Sequence, residues 1–573
     1  MSQTAHRAAF RLSLHLLAGT AALALSGLEA GAQITIPNNA KATCTVSSTE
    51  FNGWFQSGSV SLNGIVDFAD GLLFQATSLC NFYKWSEQMF LWLTSPAPAR
   101  YGQGTHVFAS PVFYSVSPES SGARTLIPNS PGNLFNFNPF ISQLGKAGKP
   151  VVVDDKGKLH NVIRAEVAPS GKALARSANA THEIARVELA PNAKPVLRSK
   201  EGAVIANPVL RDRAGKTLKI AGAIRVNGKP MLIDPAGNVI ETEQGQAGGG
   251  GVLMAQGGSC QNGHIVYYLL QANDVWAYFL TGVKNNKISA TKFPSTSAEI
   301  SAVGTYATTN GVQNKALPDL AAMAIEIKSS WIEVGAVANP ADYITVDATI
   351  PTYTTNCPST WTQSGQKSAK LALLGMHVVG TVLGHPEMLW ATFEHVSNTA
   401  NGAYSYTNTS SQTQQVAQNT TGTFLFTPNG ATTGLNPQPF MTVSGNTIVA
   451  TSENNNTIGP TPLLRVNPWG TASSSSSAVG NNTDIISLNN SVIGQLAPGD
   501  VRAKYVHTGT EWTINGKNPS VGTFIGATGL ANTTMESYFQ GSECFMCHSD
   551  PPMLGDPSGF GLSHIYGPVK KLF

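Results

Sequence analysis

The spacing of apolar residues along the chain predicts many strands and few helices. Between residues 79 and 92 apolar side chains recur every three or four positions, which is the repeat of one helix face, and Pro96 follows as a stop. This stripe consists of Leu79, Phe82, Trp85, Met89 and Trp92. A shorter helix is expected at 297–306.

Runs rich in β-branched and aromatic residues predict strands elsewhere in the chain. These runs lie at 107–108, 112–114, 265–270, 324–334, 343–350, 371–383 and 388–396. From 397 to 490 the chain is rich in Ser, Thr, Asn and Gly, which predicts long surface loops or a flexible insertion.

Residues 146–250 show a different pattern. Short apolar runs, such as 151–153 and 231–233, alternate with glycine-containing turns at irregular spacing. Most of the Lys and Arg clusters of the chain fall among these turns. We interpret this stretch as a small module of β-hairpins whose charged edges face solvent.

Together these patterns predict a mainly β, α+β fold with five parts. The parts are an export signal at 1–32, an N-terminal α+β region at 33–145, the β-hairpin module at 146–250, a large β-rich main body with a few helices at 251–540, and a short C-terminal segment at 541–573. A length of 573 residues and a hydrophobic content of 42% are sufficient for a large core.

Charge is scarce, and its distribution excludes one class of partner. Charged residues make up 12% of the chain, against about 25% in a typical soluble domain. Because the net charge is only +3 and no basic stripe is present in the sequence, we expect no nucleic-acid partner.

The first 32 residues have the composition of a secretion signal. Arg7 and Arg11 precede an apolar stretch at about 12–28, and Ala30-Gly31-Ala32 forms a small-residue cleavage site. A membrane anchor is the alternative, but polar and glycine residues dilute the stretch below spanning quality. We therefore expect a mature chain without a membrane span, in the periplasm or outside the cell.

The six cysteines fall into two groups. Two of them stand close together near the C-terminus, and four remain. In an oxidising compartment an even remainder predicts two disulfide bonds. We favour Cys44–Cys80 and Cys260–Cys357, because each pair lies within one predicted region; four free buried thiols are the alternative.

The run Cys544-Phe545-Met546-Cys547-His548 has the spacing of a covalent c-type haem site. Two thiols at this spacing add to the vinyl groups of one porphyrin, and the imidazole that follows directly reaches the iron. A zinc site would need two further ligands nearby, and a thioredoxin-like dithiol would need a βαβ setting, neither of which the sequence offers. The expected cofactor is one covalent haem c, attached through Cys544 and Cys547, with its iron bound by His548.

A second axial ligand is expected from the residues that follow. Met553 lies five residues after His548, a reach of at most ~17 Å, and Pro551 and Pro552 stiffen that stretch. His564 lies sixteen residues after His548, with a reach of up to ~55 Å. We favour His564, and Met553 or a histidine of the main body stays open as the alternative.

The C-terminal segment is too short to bury a haem alone, since only about 30 residues follow residue 543. The porphyrin is therefore expected to lie against the main body. The aromatic residues expected to pack around it are Tyr538, Phe539, Phe545, Phe560 and Tyr566.

A second group of polar residues lies between 377 and 395. It comprises His377, His385, Glu387, Glu394 and His395. Strand alternation places Glu394 and His395 on opposite faces, and no HExxH spacing is present. We favour polar residues that stabilise strand ends; a haem contact by His377 or His395, or a second metal, is the alternative. Glu326 and Lys328 share one strand face and are candidates to pair with Glu394.

Several longer runs carry a resemblance to a known family. They are FYKWSEQMFLWLTSP at 82–96, EIKSSW at 326–331, WATFEH at 390–395, CFMCH at 544–548 and LSHI at 562–565. With these runs the chain resembles bacterial exported monohaem proteins that are known only as cytochrome c family proteins. The likeness spans most of the mature chain, although the hairpin module matches only loosely. It implies haem binding and electron transfer, and it supplies no substrate.

Three functions are compatible with one haem on a large exported body. The first and favoured one is an electron-transfer protein whose body positions the haem and docks a redox partner protein. The second is an oxidoreductase whose body binds a substrate and passes electrons to its own haem, and the third is a haem-based sensor or binding module. A single CxxCH excludes a two-haem peroxidase, and no catalytic residue is assigned.

Overall fold

The computed structural model describes residues 32–573 apart from a series of gaps. The gaps are 103, 119–122, 131–134, 140–150, 155–157, 167–172, 178–179, 191–193, 200, 213–214, 227–228, 243–250, 420, 429–438, 445, 452–453, 520–521, 539, 541–543 and 549–558. The predicted export signal, up to residue 31, lies outside the described residues, as do Phe539 and Met553. Strand residues outnumber helical residues, 33% against 20%, which confirms the predicted mainly β, α+β class.

The helices are few, and each is bounded as follows. In chain order they are α1 (Ser48–Trp54), α2 (Leu79–Leu93), α3 (Asp274–Lys284), α4 (Ser297–Thr309), α5 (Ser476–Ile493) and α6 (Cys544–Cys547). The helices predicted at 79–95 and 297–306 are confirmed as α2 and α4.

The strands fall into three stretches of the chain. The first holds β1 (Phe113–Val116), β2 (Leu126–Pro128) and β3 (Phe135–Asn136). The hairpin module holds β4 (Val151–Val153), β5 (Leu159–Arg164), β6 (Leu174–Arg176), β7 (Thr181–Glu183), β8 (Arg186–Leu189), β9 (Pro195–Arg198), β10 (Val209–Arg211), β11 (Thr217–Leu218), β12 (Gly222–Val226), β13 (Lys229–Ile233) and β14 (Val239–Glu241). The main body holds β15 (Gly251–Val252), β16 (Tyr267–Asn273), β17 (Ile325–Glu333), β18 (Thr345–Asn356), β19 (Thr360–Val382), β20 (His385–His395), β21 (Tyr404–Thr407), β22 (Thr413–Val416), β23 (Met441–Ser444), β24 (Thr447–Ala450), β25 (Tyr505–Thr513) and β26 (Phe524–Gly526).

One large sheet forms the centre of the molecule. Its path runs β15-β23-β24-β19-β17-β16-β1-β2, and β18 and β20 branch from β19. The long strand β19 pairs antiparallel with β17, β18, β20 and β24 at different points along its length, and β20 continues the sheet to β25 and β26. The N-terminal region thus shares this sheet with the main body, because it supplies β1, β2 and β3.

Helix α2 covers one face of the sheet at β20 and β25. Its Phe82 ring stacks on Trp512 with centroids 4.0 Å apart, and Phe90 stacks on Phe393 at 4.2 Å. Burying a large apolar side chain contributes about 1.5–3 kcal/mol, so this layer is a major part of the core. Trp390, an odd number of positions from Phe393, points to the opposite face, where it joins a cluster with α3, α4 and the C-terminal segment.

The hairpin module has its own sheets and its own apolar cluster. Its described strands form the sheets β12-β13-β14-β5-β4, β11-β10-β6-β7 and β8-β9. The cluster consists of Ala165, Ala173, Ala175, Ile184, Leu197, Ile205, Leu210, Leu232 and Ile240. Alanine, isoleucine and leucine alone form this cluster, and it is the modest core that a run of short hairpins can bury.

Two local predictions are wrong, and one helix was not predicted. Residues 107–109 form a single 3₁₀ turn, not a strand, and α3 was not foreseen because nearly all of its sides are buried and show no apolar stripe. The stretch 397–490 contains strands and much of α5, where only loops were expected. Polar residues stabilise α5 through tertiary hydrogen bonds: Ser487 Oγ donates to Cys44 O, and Asn489 Nδ2 donates to His507 O.

Both predicted disulfide bonds are confirmed. Cys44–Cys80 and Cys260–Cys357 have Cα–Cα distances of 5.4 Å and 5.6 Å, within the range of unstrained bridges. Among the described helices, none combines the length and the apolarity that crossing a bilayer requires. Two disulfide bonds are typical of a chain that folds in an oxidising compartment.

Candidate haem site

The C-terminal segment lies on a polar face of the large sheet. Cross-strand pairing places Glu326 beside Val379, Val379 beside Trp390, and Trp390 beside Glu511, so that one row crosses β17, β19, β20 and β25. Two carboxyl groups therefore flank an aromatic and an aliphatic side chain on the face that receives the segment. We call these four residues the upper row.

Helix α6, which carries the CFMCH run, is attached to the upper row by a hydrogen bond and by ring contacts. The backbone N–H of Cys544 donates to Glu511 Oε2 at 2.7 Å. Phe545 is buried between Trp390 and Phe524, with ring centroids 6.0 Å and 5.4 Å away. The strand pair β20–β25 thus positions the first thiol of the motif, and the Cys547 side chain lies outside the described residues.

His548 is held in one orientation by two neighbours. Its Nδ1 lies 2.9 Å from Leu562 O, and its ring lies against Trp390 with centroids 4.2 Å apart. Because a carbonyl oxygen only accepts, Nδ1 carries a proton and donates it to Leu562 O. A backbone carbonyl on the far nitrogen is the usual support for a histidine that coordinates a metal through the other nitrogen.

The structure brings His564 to the same place. The His548 and His564 rings stack with centroids 4.0 Å apart and planes inclined by 20°. Imidazole nitrogen is a suitable donor for haem iron, and the motif residues Cys544 and His548 lie beside an aromatic wall, so the residues present fit a c-type haem. Coordination of one iron by both imidazoles from opposite faces would require the two stacked rings to separate.

The residues after the gap at 549–558 form a strap, 559–573, that is fastened to α3. Lys284 Nζ, at the end of α3, donates to Tyr566 O at 2.9 Å, to Gly567 O at 3.0 Å and to Val569 O. The backbone of Arg124 adds two hydrogen bonds to the same strap, at Pro568 and Lys570. His564 is therefore carried by a segment with fixed attachment points.

Only some of the aromatic residues that were expected to surround the haem lie together. Phe560 stacks on Tyr566 with centroids 4.3 Å apart, both rings contact Phe293, and Phe545 belongs to the same apolar cluster. Tyr538 lies in a different cluster, with Leu253 and Met535, and does not join the others. The segment 530–540 lies over another part of the sheet, which explains the separation.

Glu326 connects the upper row to the strap. Trp276 Nε1 donates to its Oε1 at 2.7 Å, and the side chain of Ser563, next to His564, also bonds to it. Burial raises the pKa of Glu326 to about 7, although these hydrogen bonds from Ser563 and Trp276 oppose the shift. A carboxyl group that is partly protonated near neutral pH thus lies beside the strap.

The polar residues between 377 and 395 have separate partners. His385 Nδ1 lies 2.8 Å from Glu387 Oε1, and His395 is stacked on Tyr343 with its Nε2 3.0 Å from Asp342 O. Within the parts of the chain that the structure describes, no three acidic, His or Cys side chains are grouped as metal ligands.

The proposed pairing of Lys328 with Glu394 is wrong. Glu394 is buried, and its Oε2 lies 2.8 Å from Arg465 Nη2. Lys328 Nζ instead pairs with Glu536 Oε1 at 3.2 Å. His377 Nε2 lies 2.9 Å from the other oxygen of Glu536, and His377 Nδ1 is bonded to Thr392 Oγ1. Sequence reasoning missed Glu536 and Arg465 because both come from distant loops with no periodic signal.

Sequence reasoning also missed the residues that support the haem motif. Glu511 and Lys284 belong to a strand and a helix that the pattern did not predict, and the role of Leu562 is carried by its backbone. Trp390 was noted only as the first residue of the run 390–395, one of those that carry the family resemblance. We find no family model, no curated protein and no solved structure that matches this chain.

Proposed function

We propose that this protein is an exported monohaem c-type cytochrome that transfers electrons to or from a redox partner protein. The single observation that carries the proposal is the setting of His548. The CxxCH spacing supplies two thiols and an imidazole, and the imidazole is oriented by a hydrogen bond between its Nδ1 and Leu562 O. The resemblance to exported monohaem proteins agrees with this assignment.

Each supporting residue has a distinct task in this proposal. The haem, when bound, supplies one-electron redox chemistry. Glu511 holds the start of the motif through the Cys544 N–H, Trp390 provides an apolar wall for the His548 ring, and the strap brings His564 within reach. Because a short segment cannot exclude water alone, the large body serves to bury and position the cofactor.

Export is the second part of the proposal. Two disulfide bonds and an N-terminal sequence with the composition of a secretion signal support a location outside the cytoplasm. Covalent haem attachment takes place in the same compartment, so the motif and the signal agree. The periplasm or the cell exterior is therefore the proposed location.

The first experiment tests covalent attachment. The full chain is produced in a bacterial host that assembles c-type cytochromes, and denatured protein is examined for haem by in-gel staining and by the pyridine haemochrome spectrum. One haem per chain is expected. The double variant Cys544→Ser, Cys547→Ser should lose all stain, whereas the control Cys44→Ser, Cys80→Ser, which alters the same residue type outside the motif, should retain it on whatever protein folds.

A second experiment separates electron transfer from the alternative functions. Two tight axial ligands favour electron transfer, whereas an exchangeable position favours catalysis or sensing. The wild type should give low-spin optical and EPR spectra, and His564→Ala should convert the iron to a form that binds cyanide or carbon monoxide readily. An unchanged low-spin spectrum in His564→Ala would remove His564 as the ligand.

A further inference from the structure

A row of charged and polar side chains lies beside the haem segment and has no task in the proposed function. Lys328, His377 and Thr392 are direct cross-strand neighbours on β17, β19 and β20. Lys328 is two positions from Glu326, and Thr392 is two positions from Trp390, so the row lies about 7 Å from the upper row. That distance is shorter than the width of a porphyrin.

Glu536 organises this row from above. Its carboxylate accepts from Lys328 Nζ at 3.2 Å, from His377 Nε2 at 2.9 Å and from the Asn532 N–H at 3.0 Å. Burial alone would raise the pKa of Glu536, but His377 and Lys328 outweigh that effect and lower it to about 2. Glu536 is therefore ionised at all physiological pH values and fixes the ammonium of Lys328 in place.

The row is partly open to solvent where its surroundings are closed. The Lys328 and His377 side chains are 24% and 17% exposed, whereas Trp390 and Ser330, in the rows on either side, are buried. Residues 532–537 pack tightly on the sheet: a Cβ on Gly375 would lie 2.6 Å from the Asn532 side chain. The opening is thus a seam between residues 532–537 and the upper row, and we call it the Lys328 seam.

Lys328 has more N–H donors than its described hydrogen bond to Glu536 uses. An ammonium has three N–H donors, and the described hydrogen bond to Glu536 uses one of them. Lys328 is the only Lys or Arg in β17, β20 and β25, and those of β19, at 367 and 370, lie well along the strand from His377.

We propose that Lys328, held by Glu536, binds a carboxylate at this seam. Charge-assisted hydrogen bonds to a carboxylate are among the strongest that a partly buried ammonium can make. The inference rests on the proposed function, because a haem bound beside the upper row would be one source of such a carboxylate through its propionate groups. A small carboxylate from solution offers the same chemistry, and the experiment distinguishes the two sources.

The test compares Lys328→Gln with Lys370→Gln in the haem-loaded full chain. Lys370→Gln removes the same charge from an exposed ion pair with Asp347, well along β19 from His377. Loss of Lys328 leaves a negative carboxylate uncompensated, which favours ferric iron, so the equilibrium at fixed potential should shift roughly three- to tenfold toward the oxidised form. Tenfold corresponds to about 59 mV in spectroelectrochemical titration. Lys370→Gln should match the wild type, and Lys328→Arg should restore it.

Added sodium acetate, at constant ionic strength, identifies the source. The carboxylate is a haem propionate if acetate leaves the wild-type potential unchanged while the Lys328→Gln substitution lowers that potential. The carboxylate is a free ligand if acetate shifts the potential of the wild type but not that of Lys328→Gln. Equal potentials for Lys328→Gln and Lys370→Gln, with haem covalently retained, would overturn the inference and leave the proposed function standing. Absence of covalent haem in the wild type would instead overturn the proposed function.

Discussion

The two faces of strand β20 show how one stretch of sequence serves both the core and the candidate site. On one face, Phe393 is stacked under α2 in an apolar layer. On the other face, Trp390, Thr392 and Glu394 contact the C-terminal segment, a histidine and an arginine. Alternate residues of the strand therefore serve the apolar core on one face and the candidate site on the other, and a substitution on one face should leave the contacts of the other face intact.

The apolar face is expected to show the largest effect on stability. Phe90→Ala removes the ring that stacks on Phe393, so the free energy of unfolding should fall by about 3–5 kcal/mol in urea titration. Leu73→Ala, at a side chain that is 71% exposed, is the control and should change stability by less than about 0.5 kcal/mol. A loss below about 1 kcal/mol in Phe90→Ala would contradict the role of α2 in the core.

On the polar face, a substitution that loosens the strap should have a smaller and more local effect on stability. Lys284→Met removes the donor to three strap carbonyls and should weaken docking of residues 559–573 by about 1.5–3 kcal/mol. Burial lowers the pKa of Lys284 to about 8, so the ammonium is still charged at pH 7. Hydrogen exchange of the strap amides measures the change.

Lys287→Met, three residues further on and exposed, is the matched control for the strap. It should leave exchange of residues 559–573 at the wild-type rate. Faster exchange throughout the protein in Lys284→Met, and not in the strap alone, would mean that the strap and the core are one cooperative unit.

The smallest effect concerns a carboxyl group within the apolar layer. Burial raises the pKa of Glu87 to about 8 and lowers that of its neighbour His507 to about 3. Below pH 6.5 the two pKa shifts change the pH dependence of stability in opposite directions, since unfolding releases a proton from Glu87 and takes one up at His507. Between pH 6.5 and 8 only the Glu87 shift remains, and because the folded state binds the extra proton, stability falls as pH rises.

Glu87→Gln tests this sign. In the wild type the free energy of unfolding should fall by up to about 1.4 kcal/mol per pH unit between pH 6.5 and 8 because of Glu87, and in the variant this contribution should be absent. Urea unfolding at several pH values measures it. Asp347→Asn, at an exposed carboxyl, is the control and should keep the wild-type slope. An equal slope in Glu87→Gln and wild type would show that Glu87 is ionised in the folded protein.

Much of the fold was predictable because strand alternation and one amphipathic helix leave a clear periodic signal. The apolar stripe of α2 and the runs that became β17, β19 and β20 were found in this way. Both disulfide pairs were predicted from a different argument, that each pair lies within one region of the chain. Helix α3 escaped because a helix buried on most sides lacks a stripe. Helix α5 escaped because its Ser and Asn residues favour loops by themselves and are stabilised only by partners distant in sequence.

The candidate site was predictable only where the chemistry is local. The CFMCH spacing is contained in five residues, so the sequence alone identifies it. The supports of that motif, Glu511, Trp390 and Leu562 O, come from three separate stretches and act through cross-strand register or backbone geometry. Such contacts depend on the completed sheet, which is why no pattern in the sequence pointed to them.

The central claim is that haem is bound covalently to Cys544 and Cys547. The most direct test is mass spectrometry of the intact protein and of the proteolytic peptide that contains residues 544–548, after purification from a host that assembles c-type cytochromes. The proposal predicts that the mass of one haem is added to this peptide and to no other. A peptide of unmodified mass, or haem that is lost on denaturation, would contradict it.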